Sequence, residues 1–190
     1  MPRAWQALAA AAAVSAVVTL ASRLLPKSFA ATGVGLSFLL ATWLLTIRHE
    51  DSDARRWGLS LGGLLDRERI DPGRLARDAA IALLWATALA VLFFPPFYLG
   101  FRFFWQPKHA FSFRWPGSLV DEVAGQLFVI ALPEEAFFRG YLQTALDHAW
   151  PPRWRVLGAR LGPGWLVSAA IFAVGHVLTA PSPQRLAVFF

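Results

Sequence analysis

Apolar residues in this chain fall in blocks of about 20, roughly what a helix rising 1.5 Å per residue needs to cross hydrocarbon. The first block covers residues 4–25 and is Ala-rich, with Arg3 before it and Arg23 able to snorkel from its far end. A basic start, an apolar core and small residues also describe a signal peptide. Further blocks follow at once, so an uncleaved first membrane helix is predicted. A second helix is predicted over 29–47. Residues 48–78 are the longest polar stretch, with seven arginines, the acidic run Glu50, Asp51 and Asp53, and Asp71-Pro72-Gly73 as a turn signal. They are expected to form a surface loop carrying a short interfacial helix around 59–65. A third span is predicted over 79–99, where Pro95-Pro96 should kink or stop the helix for want of backbone donors.

An aromatic connector follows, with Phe101, Phe103, Phe104, Trp105, Phe111, Phe113 and Trp115 interleaved with Arg102, Lys108 and Arg114. Such a mixture suits the headgroup level of a bilayer. Residues 119–132 are too short to span alone but continue helically through Pro133 to Trp150, giving a fourth membrane helix over 119–150. Pro151-Pro152 breaks it, and Arg153, Arg155 and Arg160 mark a basic turn. A shorter fifth helix is predicted over 165–180, and 185–190 reads as the start of a sixth. The predicted fold is therefore all-α: a polytopic transmembrane bundle forming a single membrane domain over 1–190, with its motif-bearing core at 119–180.

Composition strengthens this reading. Of 190 residues 56% are hydrophobic and 16% charged, outside the norm for soluble domains. The absence of cysteine excludes thiolate chemistry, including a cysteine-dependent transpeptidase. The formal charge of +6 does not point to nucleic acid, because the arginines lie between apolar blocks, where they meet lipid phosphates and set topology. Only one assignment puts the seven-arginine loop in the cytoplasm. It places the N-terminus inside, with Arg153, Arg155 and Arg160 on the same side, in a multi-pass protein of the cell inner membrane.

Two charged residues interrupt this picture. Glu134 and Glu135 come directly after a mostly apolar run, where an unpaired carboxylate costs several kcal/mol. Glu135 and Arg139 are four residues apart and share a helix face, so they can pair. Glu134 lies roughly 100° further round, free to face the bundle interior and act as a general base. The same residues also describe an ordinary helix N-terminus, Pro at the first position followed by two acids. His176, deep in the last apolar helix with Phe172 one turn before it, either hydrogen-bonds a carbonyl in the bundle or joins Glu134 at a hydrolytic site. A carboxylate to deprotonate water and an imidazole to hold it are a minimal set for peptide hydrolysis. His49 and His109 fall in loops, and His148 closes a helix. Asp121, Glu122 and Asp147 read as interfacial or solvated charges. No His-Glu-x-x-His pattern suggests zinc.

Glu134-Glu135-x-x-Phe138-Arg139-Gly140, followed by Phe172-x-x-x-His176 on a later membrane helix, resembles the first two motifs of the CPBP family. This family comprises intramembrane glutamic endopeptidases, also called Abi or type II CAAX prenyl endopeptidases. The resemblance covers residues 119–180. It implies Glu134 as the base, Glu135 and Arg139 as its supporting pair, His176 as the residue that orients water or stabilises the oxyanion, and Phe138 and Phe172 as supporting residues. It implies neither metal nor cofactor, and as partners membrane lipids and a membrane-associated protein or peptide substrate cleaved near its C-terminus. Eukaryotic relatives trim prenylated proteins, whereas bacterial ones include immunity proteins and myxosortases that remove sorting signals. The Arg-rich composition fits a GC-rich bacterium and a myxosortase-like role.

The family's third motif, a histidine followed four residues later by Asn or Asp, does not occur before the sequence ends at Phe190. A truncated or degenerate member is therefore an alternative expectation: a membrane binding or immunity protein with weak or absent proteolysis. A proton-coupled transporter subunit would require paired repeats or broken helices, and the sequence shows neither.

Overall fold

The structure is a computed structural model that describes residues 2–48, 53–66, 69–105 and 117–179. Two compact units emerge, one formed by residues 1–59 and 120–190 and the other by 60–119. The expected all-α helical architecture holds, and three helices are long and apolar enough to cross a membrane. His49, Glu50, Asp51, His109, most of the aromatic connector (106–115) and the expected helix start at 185–190 lie outside the described residues.

The first unit begins with helix α1, Ala4–Leu24, and helix α2, Lys27–Ile47. The two residues between them force an antiparallel pair. The next long helix of this unit, which we number α4, is unbroken over 119–149. It ends in Pro151-Pro152 and a two-stranded hairpin, β1 (Trp154–Val156) and β2 (Ala159–Leu161), with Arg155 opposite Arg160. The basic turn of the sequence is thus a hairpin. Leu157 (φ 49°) and Gly158 (φ 86°) both take the left-handed conformation that a tight two-residue connection needs. Helix α5, Pro163–Thr179, completes the unit.

Its core is built on α4. Phe137, Leu142, Ala145 and Leu146 are fully buried there, with Ala7 and Ala11 of α1 and Phe38 of α2 in the same cluster. Part of the expected surface loop belongs to this core: Ala54, Trp57 and Leu59 are buried. Gly140 explains why, because a Cβ at that position would collide with the Leu59 side chain. Trp57 packs against Tyr141 with ring centroids 5.8 Å apart. No continuous α-helix forms over 59–65. Two 3-10 turns, Ala54–Trp57 and Leu61–Gly63, replace it, because Gly58 (φ 67°) and Gly62 (φ 72°) adopt left-handed backbone that a continuous helix excludes.

The second unit is dominated by helix α3, Pro72–Trp105, longer at both ends than the predicted 79–99. Asp71-Pro72-Gly73 is a helix start rather than a loop turn. The Asp71 carboxylate accepts from the backbone N–H groups of Gly73 (2.9 Å) and Arg74 (3.2 Å). Pro72 occupies the first position, where a missing N–H costs nothing. Pro95 and Pro96 lie inside the helix without ending it, as membrane helices tolerate through local adjustment. Leu83, Leu84, Val91 and Leu92 are exposed along it.

Candidate active site

Local backbone geometry on α4 sets the site. The glutamates occupy a short α-helical stretch, Leu132–Glu135, between two widened π-type stretches, Gly125–Ala131 and Ala136–Gln143. Such bulges are frequent at functional sites. Ala131 (φ −65°, ψ −48°) and Ala136 (φ −60°, ψ −40°) are both right-handed helical, so the pair sits inside a continuous helix and does not begin one. Pro133 brings no N–H to the carbonyl of Val129. At that carbonyl α2 approaches closely, since a Cβ at Gly35 would overlap its oxygen. In the second bulge the carbonyls of Phe138 and Arg139 receive side-chain donors. The buried Ser168 hydroxyl of α5 donates to Phe138 (3.0 Å), and Thr144 donates to Arg139 (3.2 Å). The Ser168 bond fixes α5 against α4 next to the site.

Glu134 and His176 meet. Glu134 Oε1 lies 3.9 Å from His176 Nε2, and the side chains are 17% and 25% exposed. Nδ1 of His176 is 3.0 Å from the Phe172 carbonyl oxygen. A carbonyl only accepts, so Nδ1 carries the hydrogen, and Nε2 is the ring nitrogen that faces Glu134. Both residues line a cavity of about 330 Å³. Helical rise orients this cavity. Phe38, Phe138 and Phe172 lie at one end, with Phe138 centroids 5.5 Å from Phe38 and 5.0 Å from Phe172. Ser22, Ala30 and Thr179 lie at the other end.

Glu135 faces elsewhere. It lines a separate notch of about 240 Å³ with Arg139, Trp165 and Ser168, and Phe138 and Phe172 line both spaces. The expected pair with Arg139 is present, Oε2 to Nε 3.5 Å, but its members are 61% and 46% exposed. Arg139 Nη1 also donates to Gln143 Oε1 at 3.0 Å. Asp147 departs from the solvated charge expected of it. One carboxylate oxygen is buried without a hydrogen-bond partner among the described residues, because Gly164 lets the first turn of α5 close on it.

The walls from α1 and α2 had no place in the sequence reading. Ser15, Thr19, Gly35 and Phe38 all line the cavity. The available signal was a pair of hydroxyls one helical turn apart on an otherwise alanine-rich span. For a metal, Glu134 and His176 offer two ligands, and no group of three or more His, Cys, Asp or Glu side chains converges among the described residues.

Comparison with known families bears on this region. Residues 116–190 match the family described as type II CAAX prenyl endopeptidase Rce1-like. The Rce1-like segment contains Glu134, Glu135, Phe138, Arg139, Phe172 and His176, whereas α1 and α2 lie outside it. No curated protein and no solved structure matches the chain. The family match and the three apolar helices support a CAAX-type protease kind of function in a membrane setting.

Proposed function

We propose that the protein is an intramembrane endopeptidase that uses a glutamate-activated water to hydrolyse a peptide bond near the C-terminus of membrane-associated proteins. The observation that carries this reading is the facing of Glu134 Oε1 and His176 Nε2 at 3.9 Å inside a cavity. A water about 2.8 Å from each atom fits that separation. With an acceptor on either side, it donates both hydrogens and turns a lone pair toward a substrate carbonyl. Glu134 takes one proton as the new C–O bond forms. It returns that proton to the departing amine as the C–N bond breaks. His176 orients the water through Nε2, its ring held by the Phe172 carbonyl. Glu135 and Arg139 are the supporting pair, and Phe138 and Phe172 shape one end of the cavity.

The same reading places the protein in the cell inner membrane with its N-terminus in the cytoplasm, supported by the seven arginines at 48–78. The test is to reconstitute the full chain in vesicles and follow cleavage of peptides anchored near their C-termini, for the parent protein and for Glu134→Ala and His176→Ala. Loss of cleavage in both variants, with helical content retained, is expected. Undiminished cleavage by Glu134→Ala overturns the mechanism. Peptide binding without turnover by the parent chain assigns the pair to a binding role instead.

A further inference from the structure

The hairpin of β1 and β2 sorts its side chains by chemistry. Residues directly opposite each other in an antiparallel pair project to one face, and successive residues alternate between faces. The register sets Trp154 against Leu161, Arg155 against Arg160 and Val156 against Ala159. One face is therefore wholly apolar, and the other carries two arginines. Neither face is covered. Trp154 is 47% exposed, Val156 51% and Leu157, at the turn, 77%, and both arginines are exposed.

Three unfavourable features coincide here. A two-stranded hairpin with nothing packed on it is marginal in water. Like charges directly opposite on one face weaken the pairing, and Arg155 and Arg160 form no ion pair among the described residues. Large apolar side chains on the other face and at the tip are left to solvent.

We propose that the hairpin is a binding site for anionic phospholipid, with its apolar face seated at the boundary of headgroups and acyl chains and Arg155 and Arg160 sharing a headgroup phosphodiester. This inference rests on the membrane setting of the chain and not on the endopeptidase reading. One occupant relieves all three features. The apolar face of a surface-lying amphipathic element sinks about 5–10 Å into the boundary of headgroups and acyl chains, which brings the opposite, basic face of a thin ribbon to the level of the phosphates. Guanidinium forks take phosphate oxygens bidentately, so a phosphodiester between the two arginines replaces their repulsion with attraction. An indole at the position of Trp154 suits the same level. A soluble anion answers the arginines and leaves the apolar face wet. An apolar protein surface covers that face and leaves the arginines opposed.

The chain has no cysteine, so Leu157→Cys gives a single attachment point for a polarity-sensitive dye at the hairpin tip. The labelled full-length protein is reconstituted in vesicles of phosphatidylcholine, alone or mixed with phosphatidylglycerol, with and without bromine on the acyl chains. In the mixed vesicles the emission should shift to the blue and be quenched by brominated lipid. Arg155→Gln together with Arg160→Gln should lower the ratio of docked to undocked hairpin about thirtyfold there, and added salt should lower it as well. Trp154→Ser with Val156→Ser should abolish the quenching although both arginines remain. Equal quenching in the two kinds of vesicle, unchanged by the arginine substitutions, overturns the phosphate site. A blue shift that inorganic phosphate produces in phosphatidylcholine vesicles as fully as phosphatidylglycerol does assigns the arginines to a soluble anion and overturns the lipid. A blue shift without bromine quenching, growing with protein density, marks a protein partner and overturns it too. Docking by a protein that cuts no peptide supports this site and removes only the endopeptidase reading.

Discussion

Glu134 and Glu135 are neighbours in sequence, yet they inhabit different surroundings. Glu134 enters a shielded cavity and meets an imidazole at 3.9 Å. Glu135 enters a notch on the other side of the Phe138 and Phe172 rings and pairs with a guanidinium while remaining 61% exposed. The separation follows from the roughly 100° between adjacent residues on a helix, and the aromatic pair keeps the two spaces apart. Charge has unequal consequences in the two places. An exposed ion pair contributes about 0–1 kcal/mol, whereas a carboxylate taken from water without full compensation costs several. Glu134 therefore carries the chemical leverage, and Glu135 is left with shaping and support.

The largest effect should be the difference between two isosteric substitutions. Glu134→Gln removes the proton acceptor and should slow cleavage about 1,000-fold, within the range for a lost general base. Glu135→Gln should slow it less than about tenfold, because it removes an exposed charge and touches no reacting atom. Initial rates on one anchored peptide decide the matter. Equal losses would mean that the two carboxylates act as one unit.

The second prediction concerns the boundary between the spaces. The chain has no cysteine, so Glu134→Cys supplies a single thiol inside the cavity. Its reaction with a water-soluble thiol reagent should accelerate about tenfold when Phe172→Ala is added, because that change removes the ring packed 5.0 Å from Phe138 and joins notch to cavity. An unchanged rate would show that the rings do not divide the two spaces.

Much of this arrangement was legible in sequence because it depends on local spacing. Glu135 and Arg139 share a face at four residues, and Phe172 and His176 repeat that spacing on α5. What escaped depends on distant partners or on ambiguous local chemistry. Trp57 and Leu59 sit in a polar, arginine-rich stretch, and only the bare backbone of Gly140, far away in sequence, turns them into core. Asp71-Pro72-Gly73 obeys the rules for a loop turn and for a helix start alike. The two hydrogen bonds to the Asp71 carboxylate decide between them. The α1 wall was hidden because a nearly uniform alanine helix has no apolar periodicity to show which side faces the site. The hairpin was hidden because its turn puts Leu157, a poor candidate, in left-handed backbone.

A smaller effect is expected where α5 is tied to the bulged part of α4. Ser168→Ala removes the buried hydroxyl that donates to the Phe138 carbonyl and should destabilise the protein by about 1 kcal/mol. The position of His176 relative to Glu134 depends on how α5 seats against α4. The variant should therefore also lower kcat more than it raises KM, by about threefold. Ser168→Thr keeps the donor and should recover part of both. A loss of stability with unchanged kcat would make this bond a support of the fold alone.

The smallest effect should belong to the pair in the notch. Glu135→Gln and Arg139→Gln, singly and together, form a double-mutant cycle for an ion pair at 3.5 Å whose members are 61% and 46% exposed. Screening by water limits their coupling to about 0.5 kcal/mol, and added salt should weaken it further because the pair lies within reach of solvent ions. Arg139→Gln should be the costlier single change. Its guanidinium also donates to Gln143, which in turn bonds Asp147 at 3.4 Å, so one substitution disturbs a chain of polar contacts along the face of α4. Unfolding of each variant in the same detergent supplies the four free energies. A coupling above about 2 kcal/mol, insensitive to salt, would place Glu135 in surroundings as shielded as those of Glu134. The contrast between the two carboxylates would then lie in their partners, imidazole against guanidinium, and no longer in their exposure to water.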